Sequence, residues 1–304
     1  MTGFPRGRTA IVAAATHGIG ECPGFHETDL AAHAGLKALD RAGLTPADVD
    51  GLVEFRARNR RPIGVLFSAE GLQTLEGKRE NLQKLYDSGM RMAGLVHFFD
   101  NELAGSMHGE KKGGLTKFGR TIIRDMEQKG MIVDIAHSSH ATVADILKMA
   151  RRPVVSSHGG VQAVCGVNRN LTDAEIRGVA ATGGVIGLGY WDGAMCDTDP
   201  KTVAKAVRHV RDLVGIEHVA LGSDFDGAVT TRFDTSGIVQ ITQALIDAGF
   251  TEAEIRAVMG LNALRVIRAG VEPMPVATMP QGPVTPETPL VVKPGADARE
   301  LVTE

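Results

Sequence analysis

Aromatic side chains are scarce in this 304-residue chain: they make up 4% of it, with one Trp and two Tyr. That excludes the basic surface interleaved with stacking rings by which single-stranded nucleic acid is held. Cysteine is nearly missing as well. Cys22, Cys165 and Cys196 are an odd set, far apart and without a CxxC pair. They encode neither a disulfide framework nor a thiolate zinc knuckle, and reducing, cytoplasmic surroundings are expected. Charge of one sign is lacking too: 33 Lys+Arg against 36 Asp+Glu leave a net charge of -3, which offers no field for nucleic acid or anionic lipid. No run approaches the roughly 18 apolar residues of a membrane span. The amino terminus carries the short run Thr9 to Ala15 instead of a basic region and a long apolar core. The chain is expected to be soluble and unexported, with no nucleic-acid and no membrane partner.

What is present is globular. Apolar residues make up 43% and charged residues 23%, and 37 glycines point to many tight strand-to-helix turns. Residues 1–53 hold the β-like run Thr9 to Ala15, a Gly-rich turn at His17 to Gly20, and a helix from Asp29 to Ala42 stopped by Gly43, together one βα unit. Residues 54–62, with Arg56, Arg58, Arg60 and Arg61, read as a solvated basic linker. From Ile63 short apolar runs alternate with helical patterns. The runs are 63–67, 92–96, 131–135, 153–155, 184–188 and 218–221, and the helices 118–129, 141–150, 173–181, 202–214 and 251–258. Such alternation predicts a parallel sheet covered by helices, an α/β fold of the (β/α) barrel kind over 63–271. The Pro-rich residues 272–304 lack any period and read as an extended or disordered tail.

The chemistry is expected where these strands end. Glu70 follows the first run, His97 the second, His137 the third, His158 the fourth and Asp224 the last. In a barrel of parallel strands all such ends face one rim, so residues remote in sequence converge in one cleft. Two neutral imidazoles and a carboxylate suit zinc, whereas an all-oxygen set would suit magnesium or calcium. A hydrolase using metal-activated water follows from that donor set. His108, His140, His209 and His218 have no comparable position and read as surface or helix residues.

The strings SAEG (68–71), GLVHFFDN (94–101), GGLTKFGR (113–120), VDIAHSS (133–139), PVVSSH (153–158), NRN (168–170) and ALGSDFDG (220–227) carry a resemblance. In this order they resemble the membrane (renal) dipeptidase family of metallopeptidases, which is built on a metallo-dependent hydrolase barrel. The resemblance implies a binuclear zinc site in which Glu70 bridges the metals and His137 and His158 complete one of them. It implies that His97 binds substrate and steadies the oxyanion, that Arg169 holds the dipeptide carboxylate, and that Asp224 is the acid/base residue. Asp226 and Gly227 of the same string are assigned to structure.

The match is not complete. The family's opening His-x-Asp, which serves the other metal, occurs nowhere in the sequence: Ile19 stands two places after His17, and Thr28 after His26. Residues 7–53 instead resemble the amino-terminal βα unit of thiolases, whose catalytic cysteine and histidines have no counterpart here. The expectation is therefore a barrel incomplete or atypical at its N-terminal strands. One Zn2+ site is supported and a second is short of two ligands. The expected protein is a zinc dipeptidase acting on a dipeptide, with impaired activity. The alternative is a catalytically inactive metal-binding or scaffold protein with a truncated barrel, a homo-oligomer covering its exposed strand edges.

Overall fold

The structure, a computed structural model, describes residues 65–272. The βα unit expected over 1–53, the linker over 54–62 and the tail over 272–304 lie outside the described residues, save Glu272 at the start of the tail. The described chain alternates strand and helix: β1 (Phe67–Glu70), α1 (Asn81–Asp87), β2 (Met90–Gly94), α2 (Lys117–Lys129), β3 (Ile132–Asp134), α3 (His140–Met149), β4 (Val155–Gly159), α4 (Asp173–Ala181), β5 (Val185–Leu188), the single turn α5 (Asp192–Met195), α6 (Pro200–Val214), β6 (Val219–Leu221), α7 (Val239–Asp247), α8 (Glu252–Arg256) and α9 (Asn262–Val271).

The six strands form one sheet in sequence order, and every pairing is parallel. A doubly wound sheet would reverse its order part-way, whereas unbroken progression is the arrangement of a barrel wall. Among the described residues the fold is thus a partial (β/α) barrel. Register fixes the rim: Glu70 pairs with Gly94, Gly94 with Asp134, and Leu188 with both Gly159 and Leu221. The carboxyl ends of β1, β2 and β3 are level with one another, as are those of β4, β5 and β6, while Asp134 pairs with Val155 at the start of β4, so β4 runs on past the end of β3 along the same edge.

Strand periodicity distributes two cores. Val133, Ile186 and Val219 face the larger cluster, which includes Ile122, Ile123 and Met126 of α2 and Val203, Val207 and Val210 of α6. Their neighbours Ile132, Val185 and Ala220 face the other way, where Val155 and Val266 of α9 join them. Alternation of buried residues on both faces is why these strands read as nearly continuous apolar runs. The helices that follow begin at side-chain caps: Thr116 accepts from Gly119 N, Ser139 from Thr142 N, and Asp199 from Lys201 N. Thr172 with Glu175 and Thr251 with Glu254 form capping boxes.

Three differences from the sequence reading have physical causes. Strand β1 lies at 67–70 rather than 63–67, so Glu70 is its last residue; Ser68 to Glu70 pair with β2 although only alternate members are apolar. Strand β4 runs to Gly159 rather than stopping at Val155, because Ser156 pairs with Ile186 and Gly159 with Leu188, which puts His158 inside the strand. Cys165 and Cys196 form a disulfide, where none was expected: they are 31 residues apart in sequence, but the loops after adjacent strands β4 and β5 bring their Cα atoms to 5.4 Å.

Close approach of β5 to β4 needs glycine at one point. A Cβ on Gly187 would lie 2.2 Å from the carbonyl oxygen of Ser157, an immovable backbone atom beside His158. Gly187→Ala is expected to destabilise the chain by about 1–3 kcal/mol, the usual cost of overpacking. Urea unfolding would show this as a lowered midpoint with an unchanged slope; an unchanged midpoint would mean that β4 can move aside.

Candidate active site

Glu70, at the end of β1, points a carboxylate at two imidazoles that arrive from β3 and β4. Its Oε1 lies 2.7 Å from His137 Nε2 and 3.1 Å from His158 Nε2, and the two Nε2 atoms are 3.0 Å apart. Among the described residues this is the group of three that could hold a metal ion, with each ligand atom within 4.8 Å of the others. Both histidines are buried, while the carboxylate side chain is 41% exposed and forms the open side.

Local folding aims each group. His137 lies three residues past the end of β3, within the turn that follows it, in the left-handed region, φ 62°, a conformation that costs a non-glycine residue free energy and recurs at functional sites. Ser138 N donating to Ile135 O and Met107 N donating to His137 O hold that turn. Asp134, the last residue of β3, accepts from Ala136 N at 3.0 Å and Ser157 N at 2.9 Å, tying the two histidine-bearing segments together. Ser157 Oγ hydrogen-bonds His158 Nδ1 at 2.8 Å, which fixes the ring and turns Nε2 toward Glu70.

The charges are coupled. Burial alone would raise the Glu70 pKa, but hydrogen bonds and the charges of His137 and His158 outweigh it and hold the carboxyl well below its usual range. His137 is pushed down to about 4, chiefly by burial and further by the Arg169 and His158 charges, against the Glu70 bond. His158 moves the other way: burial opposes it, yet the Glu70 hydrogen bond and the Asp134 carboxylate raise its pKa. The two imidazoles are thus shifted in opposite directions, with His158 the more basic of the pair.

The remaining candidates ring this cluster. His97 follows β2, with its Nε2 3.6 Å from Glu70 Oε2 and its ring edge-on to His137 at 4.5 Å. Arg169, on the loop between β4 and α4, donates from Nη2 to His158 O at 3.2 Å and lies 3.4 Å from His137 Nε2. Burial lowers its pKa, and the carboxylates of Asp224, Asp134 and Glu70 act against that. Asp224, beyond β6, also has positive φ, 52°. Among the described residues no hydrogen bond joins it to the cluster, but it feels it. Burial and the Glu70 and Asp226 charges raise its pKa while His158 and Arg169 lower it.

Sequence reasoning passed over three neighbours. Asp134 is a buried polar residue inside an apolar strand, a signal that was present. Trp191, the only tryptophan, lies 6.0 Å from the His158 ring. His108 is not a bystander: its ring is 5.4 Å from that of His137 and 4.8 Å from that of Phe98, carried there by a turn with no strand-end signature. The other three set aside do lie elsewhere, His140 on Glu175, His209 on Asp173 and His218 on the Gly184 carbonyl.

Comparison with known proteins places the sequence among dipeptidases. The chain is 33% identical over 235 residues to dipeptidase verJ of Clonostachys rogersoniana, covering 75% of this chain and 60% of that protein. It is 34% identical over 215 residues to dipeptidase aclJ of Aspergillus oryzae, covering 67% of this chain and 51% of that one. It therefore spans between about half and three-fifths of the length of these relatives. An amidohydrolase from Pseudomonas aeruginosa shares the fold, with a TM-score of 0.66 at 22% identity over 78% of this chain and 82% of the other. The sequence profile of the membrane dipeptidase family, peptidase family M19, matches residues 44–274. This chain belongs to the membrane dipeptidase family.

Proposed function

We propose that this site binds one zinc ion and hydrolyses dipeptides by attack of water on the peptide carbonyl. The observation that carries the reading is the meeting of Glu70 Oε1, His137 Nε2 and His158 Nε2, each within 3.1 Å of the other two. Ligand atoms on a tetrahedral zinc with bonds near 2.1 Å stand about 3.4 Å apart, so a few tenths of an ångström of outward movement admits the ion. The donor set is that of a borderline cation rather than of calcium or magnesium. When bound, zinc supplies Lewis acidity, lowering the pKa of a water to about 7 and polarising a carbonyl oxygen.

The protein's own groups do the rest. The forked guanidinium of Arg169 suits the carboxylate of a dipeptide, which it can clasp through two parallel hydrogen bonds. His97 stands where its N–H can donate to the oxygen on which charge develops. Asp224, with its pKa raised by burial, is placed to take a proton from the attacking water and return it to the leaving amine. Among the described residues no helix is long and apolar enough to cross a membrane. A cytoplasmic location was read from scarce cysteine, but the Cys165–Cys196 bond favours an oxidising compartment.

One observation favours a second reading. The sequence holds no His-x-Asp, so a single-metal protein with little turnover, or a metal-binding scaffold that oligomerises through open strand edges, competes with the enzyme. Metal analysis of the purified chain combined with a dipeptide assay separates them. One zinc per chain with turnover supports the enzyme, and zinc without turnover supports the scaffold. In either case His137→Ala combined with His158→Ala should abolish zinc binding, and zinc retained by that double variant would refute the site.

The opposite shifts of the two imidazoles make a further prediction. His137 stays neutral down to about pH 4, so it does not compete for protons near neutrality. His158, raised above the ordinary value of about 6.5, must lose its proton before it can ligate. Zinc affinity should therefore fall about tenfold per pH unit below the His158 pKa and level off above it. Calorimetry in buffers of different ionisation enthalpy should count about one proton released per zinc in that window. A flat affinity from roughly pH 5 to 8 would contradict it. Ser157→Ala, which frees the far nitrogen of His158, should weaken zinc binding about 10–100-fold, measured by competition with a chelator; unchanged affinity would show that the ring needs no such support.

A further inference from the structure

Arg169 sits on the loop after β4 and meets the sheet through one hydrogen bond of its own, Nη2 to His158 O. The loop leaves β4 at Gly159 and rejoins the fold at α4, and its ends are closed by Gln162 N donating to Leu171 O and Leu171 N donating to Gly160 O. The three residues before Arg169, Gly166 to Asn168, are exposed. A half-buried guanidinium on such a loop has about 2 kcal/mol of side-chain rotamer freedom to lose on being fixed, and backbone closure alone does not aim it.

Two contacts of a different kind reach across to the next loop. Cys165 is bonded to Cys196, which follows α5. Asn170, fully buried and directly after Arg169, donates from Nδ2 to Cys165 O and to Ala194 O, both at 2.8 Å. The segment they anchor to begins with Trp191, whose ring faces His158 at 6.0 Å. The disulfide, Asn170, Trp191 and His158 thus form one continuous brace that starts at the proposed metal site and returns to it at Arg169.

We infer that the Cys165–Cys196 bond, with Asn170, positions Arg169 for the carboxylate of the substrate, so that recognition of a free C-terminal carboxylate depends on this disulfide. The inference rests on the reading of Arg169 given above. It assigns to Cys165, Cys196 and Asn170 a positioning role, since none of them touches the reacting atoms. Cys165 is 2% exposed while Cys196 lies at the surface, which leaves one sulfur open to a thiol. A dithiol can therefore cleave the bond. It gives up two electrons and two protons as it closes to its own cyclic disulfide, and it leaves Cys165 and Cys196 as thiols.

The test compares two ligands on the zinc-loaded full chain by calorimetry. Both are Ala-Ala analogues with a CH2–NH link in place of the peptide bond, one a free acid and one a C-terminal amide. The unmodified chain should prefer the acid by about tenfold, equivalent to about 1.4 kcal/mol. Cys165→Ser combined with Cys196→Ser should bring that ratio close to one by weakening the acid alone, because the amide never engaged Arg169. A purely structural bond would instead weaken both ligands together. Reduction of the unmodified chain by a dithiol is the second arm and should give the same result if the double variant does not fold. Folding in each arm is followed by the emission of Trp191. An acid preference that survives loss of the bond overturns the brace. Loss of the fold in both arms assigns the bond to stability and also overturns it. Equal affinity of the unmodified chain for the two ligands removes the carboxylate reading of Arg169 itself, a separate failure.

Discussion

Three Lewis-basic atoms held within 3.1 Å of one another are the constraint from which the rest of the structure follows. Buried lone pairs at that separation repel unless positive charge lies close to them. The Arg169 guanidinium stands 3.4 Å from His137 Nε2, and the pKa of His158 is raised beside a Glu70 carboxyl held well below its usual range. A divalent ion would do the same work with twice the charge. The architecture around the cluster then has a common purpose. Parallel strands in sequence order bring the three residues to one rim, and glycine at 187 lets β5 close on Ser157. A left-handed turn delivers His137, at a cost that the Met107 and Ser138 hydrogen bonds offset.

The legible parts of the fold were those with a local physical signature. Every helix expected from sequence over 118–258 begins at Thr116, Ser139, Thr172, Asp199 or Thr251, each accepting a backbone N–H. Apart from the single turn α5, the helices that the sequence does not announce, α1, α7 and α9, begin at Glu80, Ile238 and Leu261 with no side-chain cap. They form because α7 and α9 bury Ile241, Leu245 and Val266, and α1 buries Leu82 and Leu85, a tertiary gain with no start signal. Strand boundaries erred in the same sense. Ser68, Ser156 and Ser157 look like loop residues, and only ladder pairing makes them strand.

The site was more legible than its support. Carboxylates and imidazoles after apolar runs announce Glu70, His97, His137, His158 and Asp224, because strand ends are where a barrel exposes polar groups. Asp134 gives a different signal, a lone carboxylate interrupting the apolar run 131–135, whose meaning only the structure supplies: it accepts two backbone N–H groups. The disulfide was illegible for a different reason. Only adjacency of β4 and β5 makes Cys165 and Cys196 neighbours, and adjacency is a property of the sheet rather than of either loop.

Arg169 links these layers electrostatically. Among the described residues it is the guanidinium that reaches the cluster, and it feels three carboxylates, those of Asp224, Asp134 and Glu70. Its charge helps keep His137 neutral, which is the form a metal needs. The same charge lowers the pKa of Asp224, which burial and Glu70 raise. One side chain thus biases the ligand toward its binding form and the acid/base candidate toward its ionised form, while keeping its fork beside the opening at Glu70. Moving it by a few ångströms would change a field acting on three titratable groups at once. A loop carrying such a residue has reason to be fastened more firmly than by backbone closure alone, and in this chain the fastening is covalent.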